Sequence, residues 1–259
     1  MIPTLLTDSI TPNLECALHY ALLWGLEAVE LRSVGGPGDR VPNVNERKLR
    51  GQLMESDMPV VAVAPALFEG DLADRAAWLN EVATLVDTLR FCSRIDCSRI
   101  VVSGFRGPIA DVQDDVADPF RRAAARADVS GIQLCVSNSA AGLIRTGAEL
   151  STLLDAVGNS AVTAAWNPME AAMAGEDPSE GVDALEGRIG LVRCSNGRRS
   201  GNGWEARTID NGAVDWADQI RRLRKMGFAG PLSLEIRAEP RAVNGLREAT
   251  TLIRMLRAK

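Results

Sequence analysis

The residues whose types and spacing are best suited to catalysis or binding lie at positions 227–237, which read GFAGPLSLEIR. From Leu232 onward apolar and polar residues alternate, and this pattern predicts a β-strand with one apolar and one polar face. The polar face carries Ser233, Glu235 and Arg237 near the C-terminal end of the strand. A carboxylate grouped with a guanidinium can move a proton or stabilise negative charge, so this strand end is a candidate for a catalytic or binding site.

Other strand-like segments end in polar residues in the same way, because side chains alternate between the two faces of a strand. In residues 132–138, 162–167 and 189–196 the apolar face should contact helices, and the more polar face should point towards the centre of the fold. The polar side chains that this division places at strand ends are Ser137, Asn167 and Arg193, with Glu30 and Arg32 on an earlier strand and Glu170 on the loop after Asn167.

The segments that carry these residues alternate with longer helical ones along the 259 residues of the chain, and eight such pairs are present. No shift in composition divides them, so they predict an α/β fold with one domain covering residues 1–259. Eight parallel strands close a (β/α)8 TIM barrel, whose chemistry takes place at the C-terminal strand ends. A doubly wound open sheet is the alternative, but no G-x-G-x-x-G motif follows the first strand. Pro119 should interrupt or delay one of the helices, because proline removes a helical hydrogen bond.

Composition excludes several classes of protein. The net charge of −5 disfavours a nucleic-acid partner, which normally meets a basic patch. No apolar stretch is long enough to span a membrane, and the first residues lack the basic flank of a signal peptide. The five cysteines are odd in number and lack zinc-site spacing, so we expect reduced thiols and a cytoplasmic protein. The only histidine, His19, falls within a predicted helix and favours packing or surface exposure over catalysis.

Each charged candidate also has a structural interpretation. Glu235 could pair with Arg193 or Arg237 only to hold the barrel together. Glu30 could be a buried carboxylate that braces neighbouring strands.

Two further arginines, Arg198 and Arg199, lie in the glycine-rich segment GRRSGNG at positions 197–203. Such a segment is typical of a solvated turn. Paired guanidinium groups could also bind a phosphate or a carboxylate, so both remain candidates for an acidic group on a ligand.

Two longer stretches resemble the xylose isomerase-like TIM-barrel superfamily, which includes sugar and sugar-phosphate isomerases and epimerases. They are ALLWGLEAVELR, a helix followed by the second strand, and GAVDWADQIRRLRKMGFAGPLSLEIR, which is similar to the family's ending. The resemblance implies a TIM barrel, a carbohydrate or polyol as ligand, and often a homo-oligomer.

The resemblance also implies a metal site that this chain does not reproduce. Many family members bind one divalent metal through a glutamate, an aspartate, a histidine and a glutamate that end the fifth to eighth strands. The corresponding residues here are Ser137, Asn167, Arg193 and Glu235, and a further family histidine corresponds to Glu170. An arginine does not ligate a metal, and a fixed positive charge about 4 Å from a divalent cation would cost about 8 kcal/mol at an effective dielectric constant of 20. We therefore expect neither the family's metal nor another cofactor.

One hypothesis is a metal-independent isomerase or epimerase that transfers a proton next to a carbonyl. Glu235 would be the base, Glu170 the acid, and Arg193 the group that stabilises the developing negative charge. The remaining candidates would bind the substrate: Ser137, Asn138, Asn167, Ser195, Arg237, Glu30, Arg198 and Arg199.

The other hypothesis is a barrel that has lost its chemistry and binds a small polyol, a sugar acid or a partner protein. It is motivated by the replacement of three of the four family ligands. A binder would show a ligand-dependent rise in melting temperature without any product.

Overall fold

The computed structural model describes residues 1–36, 38–107 and 113–258. Within these ranges eight parallel strands close a barrel, and each strand pairs with its neighbours in chain order. The strands of the barrel are β1 (Ile2–Leu6), β2 (Ala28–Leu31), β3 (Val60–Val63), β4 (Arg99–Val102), β5 (Gln133–Ser137), β6 (Val162–Trp166), β7 (Ile189–Cys194) and β10 (Pro231–Leu234). The last strand pairs with the first, so the predicted (β/α)8 TIM barrel is confirmed.

Helices cover the outside of the barrel. They are α1 (Leu14–Leu23), α2 (Glu46–Ser56), α3 (Arg75–Arg94), α4 (Gln113–Ser130), α5 (Gly147–Val157), α6 (Pro168–Ala174), α7 (Pro178–Asp183), α8 (Trp216–Lys225) and α9 (Arg241–Arg257). Capping side chains mark the starts of several of these helices. Asn13 Oδ1 accepts from the Cys16 N–H at 3.1 Å, and Thr146 and Glu149 form a reciprocal capping box. None of the helices in the described ranges combines the length and apolarity of a membrane span.

The barrel has two apolar layers. The larger lies between the strands and the helices and contains residues such as Leu134, Trp166 and Leu232. The smaller fills the barrel interior with short side chains, namely Ala62, Ala64, Val101, Cys135, Ala165 and Leu191. Cys135, Ala165 and Leu191 precede Ser137, Asn167 and Arg193 by two positions, so they lie on the same face of their strands. The predicted division of these strands into two faces therefore agrees with the structure.

The structure corrects three predicted elements. The glycine-rich segment after β7 is a β-hairpin of β8 (Asn196–Ser200) and β9 (Gly203–Arg207), not a simple turn. The predicted final strand stops at Leu234, although the Glu235 N–H still donates to the Cys194 carbonyl at 2.8 Å. Helix α4 continues through Pro119 without interruption. Its buried face, which includes Phe120, outweighs the single hydrogen bond that proline removes.

Candidate functional site

The C-terminal mouth of the barrel holds a network of carboxylates and guanidinium groups. At its deepest point lies Glu30 of β2, which has no solvent exposure. One carboxylate oxygen of Glu30 pairs with Arg193 of β7, and the other accepts a hydrogen bond from Ser233 Oγ of β10 at 2.5 Å. These contacts join three strands through one buried carboxylate. Their geometry is that of a brace.

Glu235 follows β10 directly and lies closer to the opening, with 8% exposure. Its Oε2 accepts from Arg237 Nη2 at 2.8 Å and from Arg237 Nε at 3.2 Å, while its Oε1 is 3.5 Å from Arg32 Nη1. Burial favours the neutral form of Glu235, but the charges of Arg193, Arg237 and Arg32 outweigh it and lower the pKa. Glu235 is therefore a buried carboxylate held in its ionised form.

Arg237 joins this carboxylate to a second one. Both Nη atoms of Arg237 lie 3.1 Å from Oε1 of Glu170, at the start of α6. Oε2 of Glu170 accepts from the backbone N–H of Ala140 at 3.0 Å. Burial favours the neutral form of Arg237, but the negative charges of Glu235 and Glu170 outweigh this effect and raise the pKa of Arg237. The structure thus brings Glu235 and Glu170 onto one guanidinium.

The two predicted asparagines already have structural partners. Asn138 Oδ1 accepts from the Asn167 N–H at 2.8 Å, and Asn138 Nδ2 donates to the carbonyls of Asn167 and Arg145 at 3.0 and 3.1 Å. Asn167 Oδ1 accepts from the Glu170 N–H at 3.3 Å and caps α6. These bonds tie the ends of β5 and β6 together and place Glu170 at the mouth.

Polar atoms without partners also occur at this end of the barrel. Ser195 Oγ, Arg193 Nε and Asp8 Oδ1 are buried and make no hydrogen bond within the described residues. Such atoms are costly unless a ligand or water satisfies them. Ser137 is half-buried, and its Oγ donates to the Asn138 carbonyl at 3.3 Å.

The hairpin arginines lie apart from this network. Arg198 and Arg199 are both exposed on β8, and Arg198 Nη2 donates to Asn211 Oδ1 at 2.7 Å. Neither contacts the carboxylates of the mouth within the described ranges. Their predicted role in binding an acidic group stays a prediction.

One member of the network is missing from the sequence-based candidates. Asp8 follows β1, and its Oδ2 accepts from Arg32 Nε at 2.9 Å. The signal for it was available, because Asp8 stands just after a strand, as Glu235 does. The first strand is the least distinct in the sequence, which hides that position.

The residues at the mouth do not fit a divalent metal. Among the described residues no three His, Cys, Asp or Glu side chains are grouped as metal ligands would be. Arg193 pairs with Glu30 and adds its positive charge next to Glu235. The guanidinium group therefore already supplies the positive charge that a metal ion would supply, and it would repel a metal ion bound beside it. The donors available at this site therefore favour binding of anionic or hydroxylated groups over a metal.

Comparison with known proteins identifies the family. A family model described as a xylose isomerase-like TIM barrel matches residues 18–259. This match covers nearly all of the chain, so the chain belongs to the xylose isomerase-like TIM barrel family, as the two sequence stretches indicate. A search of curated proteins finds no significant match.

Solved structures share the fold at low sequence identity. The IOLI protein with a binding zinc atom has a TM-score of 0.82 and 15% identity, over 99% of this chain and 98% of that one. The probable 3-DHS dehydratase AsbF of Bacillus anthracis, involved in petrobactin synthesis, has a TM-score of 0.81 and 15% identity, over 98% and 99%. The 3-keto-D-glucoside 4-epimerase YcjR of E. coli has a TM-score of 0.77 and 16% identity, over 100% of both chains.

One further match is much longer than this chain. It is a xylose isomerase-like TIM barrel/4-hydroxyphenylpyruvate dioxygenase fusion protein, with a TM-score of 0.79 and 18% identity. The alignment covers 99% of this chain and 42% of the fusion protein.

Proposed function

We propose that this protein is a sugar or sugar-phosphate isomerase or epimerase that transfers a proton next to a carbonyl without a metal. The observation that carries the proposal is the buried, ionised carboxylate of Glu235 at the barrel mouth, surrounded by guanidinium charge. A general base must be unprotonated at the pH of the reaction. The arginines keep Glu235 unprotonated by lowering its pKa, which also makes Glu235 a weaker base. The loss is offset if the same charges stabilise the enediolate that forms when the proton leaves.

Each residue then has a defined role. Glu235 removes the proton from the carbon beside the carbonyl, and Arg193 stabilises the negative charge that develops on the carbonyl oxygen. Glu170 is the second proton-transfer group, and Arg237 sets its position relative to Glu235 through contacts of 2.8 and 3.1 Å. The unpartnered Ser195 Oγ binds a substrate hydroxyl. Epimerases among the structural neighbours, such as YcjR, are consistent with this chemistry.

The proposal extends to the class of ligand and to the location of the protein in the cell. The ligand is a small carbohydrate or polyol, and neither a nucleic acid nor a membrane is a partner. If the substrate carries a phosphate, Arg198 and Arg199 on the exposed hairpin are the candidates for binding it. A cytoplasmic location and a homo-oligomeric state belong to the same proposal.

The direct test is proton exchange. A panel of ketoses, aldoses and inositol ketones is incubated with the protein in D2O, once with a chelator and once with Mg²⁺, and followed by proton NMR. We expect deuterium at a carbon beside the carbonyl of one substrate even with the chelator. In Glu235→Gln this exchange should fall at least about 100-fold, since general base catalysis contributes about 10² to 10⁴ in rate.

The matched control is Glu239→Gln, which removes an exposed carboxylate four positions further on and should leave the exchange rate unchanged. Exchange that requires Mg²⁺ would contradict the metal-independent mechanism. Unchanged exchange in Glu235→Gln would rule out Glu235 as the base.

A specific observation favours a second candidate, a barrel that binds without chemistry. Both oxygens of Glu235 and both oxygens of Glu170 already accept hydrogen bonds or pair with arginine. A binder of a polyol or sugar acid would show a ligand-dependent gain in stability, about 4 kcal/mol at a ligand concentration 1,000 times the Kd, and no exchange in D2O.

A further inference from the structure

A second concave site lies at the N-terminal end of the barrel, opposite the mouth. It is a cavity of about 280 Å³ formed where three strands begin and where the loop from α8 enters β10. Its wall includes Arg99 of β4, Gln133 of β5 and Ile189 of β7. Its rim is formed by exposed residues of two loops: Gly187 lies in the loop before β7, and Ala229 lies in the loop before β10. The cavity therefore opens to solvent.

This cavity is separate from the charged network of the mouth. The interior apolar layer, which contains Val101 and Cys135, lies between the two. Val101 and Cys135 each follow a cavity residue, Arg99 and Gln133, by two positions on the same face of the strand. A ligand in the cavity therefore meets different side chains from a ligand at the mouth.

Arg99 is the unusual residue of the cavity wall. Its Nη1 donates to Ser98 Oγ at 3.2 Å, while its Nε is buried without a partner and its Nη2 makes no hydrogen bond within the described residues. No described carboxylate lies within ion-pair distance of it, whereas each mouth arginine has at least one. A partly buried guanidinium with an unpartnered Nη2 favours an oxyanion, because a carboxylate oxygen can accept a charge-assisted hydrogen bond from that atom.

The other side of the cavity is apolar. Ile189, Met226 and Phe228 are all half-buried and line it without covering it. Gln133 adds a half-buried amide beside them. A ligand that fills this space would combine one oxyanion with a short apolar body.

Two glycines of the cavity wall pack too closely against their neighbours to carry a side chain. A Cβ on Gly190 would lie 2.4 Å from Thr163 Oγ1 and 2.7 Å from Cys135 Sγ, and a Cβ on Gly230 would lie 2.7 Å from the Phe228 ring. Gly190 lies where the pairing of β6 with β7 shifts, from Ala164 opposite Ile189 to Ala165 opposite Leu191. The glycine at the bulge therefore lets β7 pack closely against β5 and β6 at the cavity wall.

We propose that this cavity binds a small organic carboxylate. The carboxylate accepts from Nη2 of Arg99, and Gln133 donates a further hydrogen bond. The aliphatic part of the ligand lies against Ile189, Met226 and Phe228. The site is distinct from the mouth, so it binds whether or not the proposed isomerase activity exists.

The test is a calorimetric titration of the full chain with sodium acetate, butyrate and hexanoate, with sodium chloride and inorganic phosphate at matched ionic strength. Butyrate should bind about 15-fold more tightly than acetate, because two buried methylene groups each add about a fourfold gain. Arg99→Gln should weaken butyrate binding at least about tenfold. Arg99→Lys keeps the positive charge but lacks the planar set of guanidinium N–H donors, so it should cause an intermediate loss of butyrate affinity.

The matched control is Arg90→Gln, since Arg90 is an exposed arginine on neighbouring α3 and should leave butyrate binding unchanged. Equal binding by the original chain and Arg99→Gln would place the anion elsewhere, including at the mouth, and would overturn the proposal. So would phosphate binding that exceeds butyrate binding, or no heat above the chloride background. If Arg99→Gln fails to fold by circular dichroism, Arg99→Lys carries the same comparison.

Discussion

At the scale of single residues, Glu30 shows why a buried carboxylate cannot be assigned from sequence alone. Its parity on β2 predicts that it points inward, and the sequence leaves both a brace and a binding role open. The structure places it at zero exposure between Arg193 and Ser233, which favours the brace. Removing one partner of such a pair typically costs 3–5 kcal/mol, because the other charge is left buried. Its role in substrate binding stays a prediction.

Glu248 is a residue that no sequence pattern indicates. It lies on α9 with 1% exposure, and its Oε1 has no partner within the described residues. Burial raises the pKa of Glu248 to about 8, and the neighbouring Asp210 adds to this, while Arg247 and a hydrogen bond to the backbone of Ile209 oppose it. The carboxyl is therefore mostly protonated at neutral pH.

This pKa predicts a dependence of stability on pH. The pKa in the folded state lies above the ordinary 4.5, so the unfolded chain loses this proton first as pH rises. The stability that Glu248 contributes is fully present below about pH 4.5 and is lost towards pH 8, at a slope of up to about 1.4 kcal/mol per pH unit. Glu248→Gln should remove this loss and be more stable than the original chain at pH 8 by roughly 2–4 kcal/mol.

The measurement is urea unfolding at several pH values from 5 to 8, for both proteins. The control is Glu239→Gln, an exposed carboxylate whose removal should leave the pH profile of stability as it is. A profile of Glu248→Gln that runs parallel to that of the original chain would show that Glu248 titrates normally.

At the scale of elements, close helix packing depends on a single glycine. Gly147 begins α5, and a Cβ there would lie 2.3 Å from the carbonyl oxygen of Gly181 in α7. The Gly147 N–H also donates to Glu176 Oε2 at 2.6 Å, so the start of the helix is held in place. The space is too small for a methyl group unless α7 moves.

Gly147→Ala should therefore destabilise the protein by roughly 1–3 kcal/mol, as overpacking usually does. The matched control is Gly51→Ala in α2, where no atom lies within 4 Å of the added Cβ. That substitution should stabilise by about 0.5–1 kcal/mol, because alanine loses less backbone freedom in a helix. Urea unfolding measures both changes. A stabilising effect at Gly147 would mean that α7 yields to the methyl group without cost.

The elements themselves were largely predictable, and the reason is periodicity. Alternation in β5 to β7 and helical spacing in α1 and α8 are local properties, so they can be seen in one sequence. Hairpin β8–β9 and helices α6 and α7 are short, so neither alternation nor helical spacing has room to develop in them. Helix α4 passes through Pro119 because packing of its buried face, a property of the whole fold, overrides the local preference.

At the scale of the whole molecule, the barrel joins residues from distant parts of the chain. Parity placed Glu30, Arg193 and Glu235 at one mouth, since strand ends in a closed barrel converge. It could not supply the pairing, for example that Arg237 contacts both Glu235 and Glu170 or that Asn138 is already hydrogen-bonded. Those choices depend on side-chain conformations, which strand parity does not determine.

The same architecture predicts that the two ends of the barrel are energetically independent. Glu235 follows β10, and the N-terminal cavity lies at Gly230, which precedes it. Five residues of extended chain separate them by roughly 16 Å, with the interior apolar layer between. The changes in unfolding free energy for Arg99→Gln and Glu235→Gln should therefore add within about 0.5 kcal/mol in the double variant.

The comparison is the pair Glu235→Gln and Arg237→Gln, whose side chains are 2.8 Å apart. Residues in contact share one network, so this double variant should depart from additivity by roughly 0.5–3 kcal/mol. Urea unfolding of all single and double variants gives both coupling energies. If Arg99 and Glu235 couple as strongly as Glu235 and Arg237, the interior layer transmits a change from one end to the other. A carboxylate bound at Arg99 would then alter the mouth through short side chains such as Val101 and Leu191, and the two sites would have to be treated as one linked system.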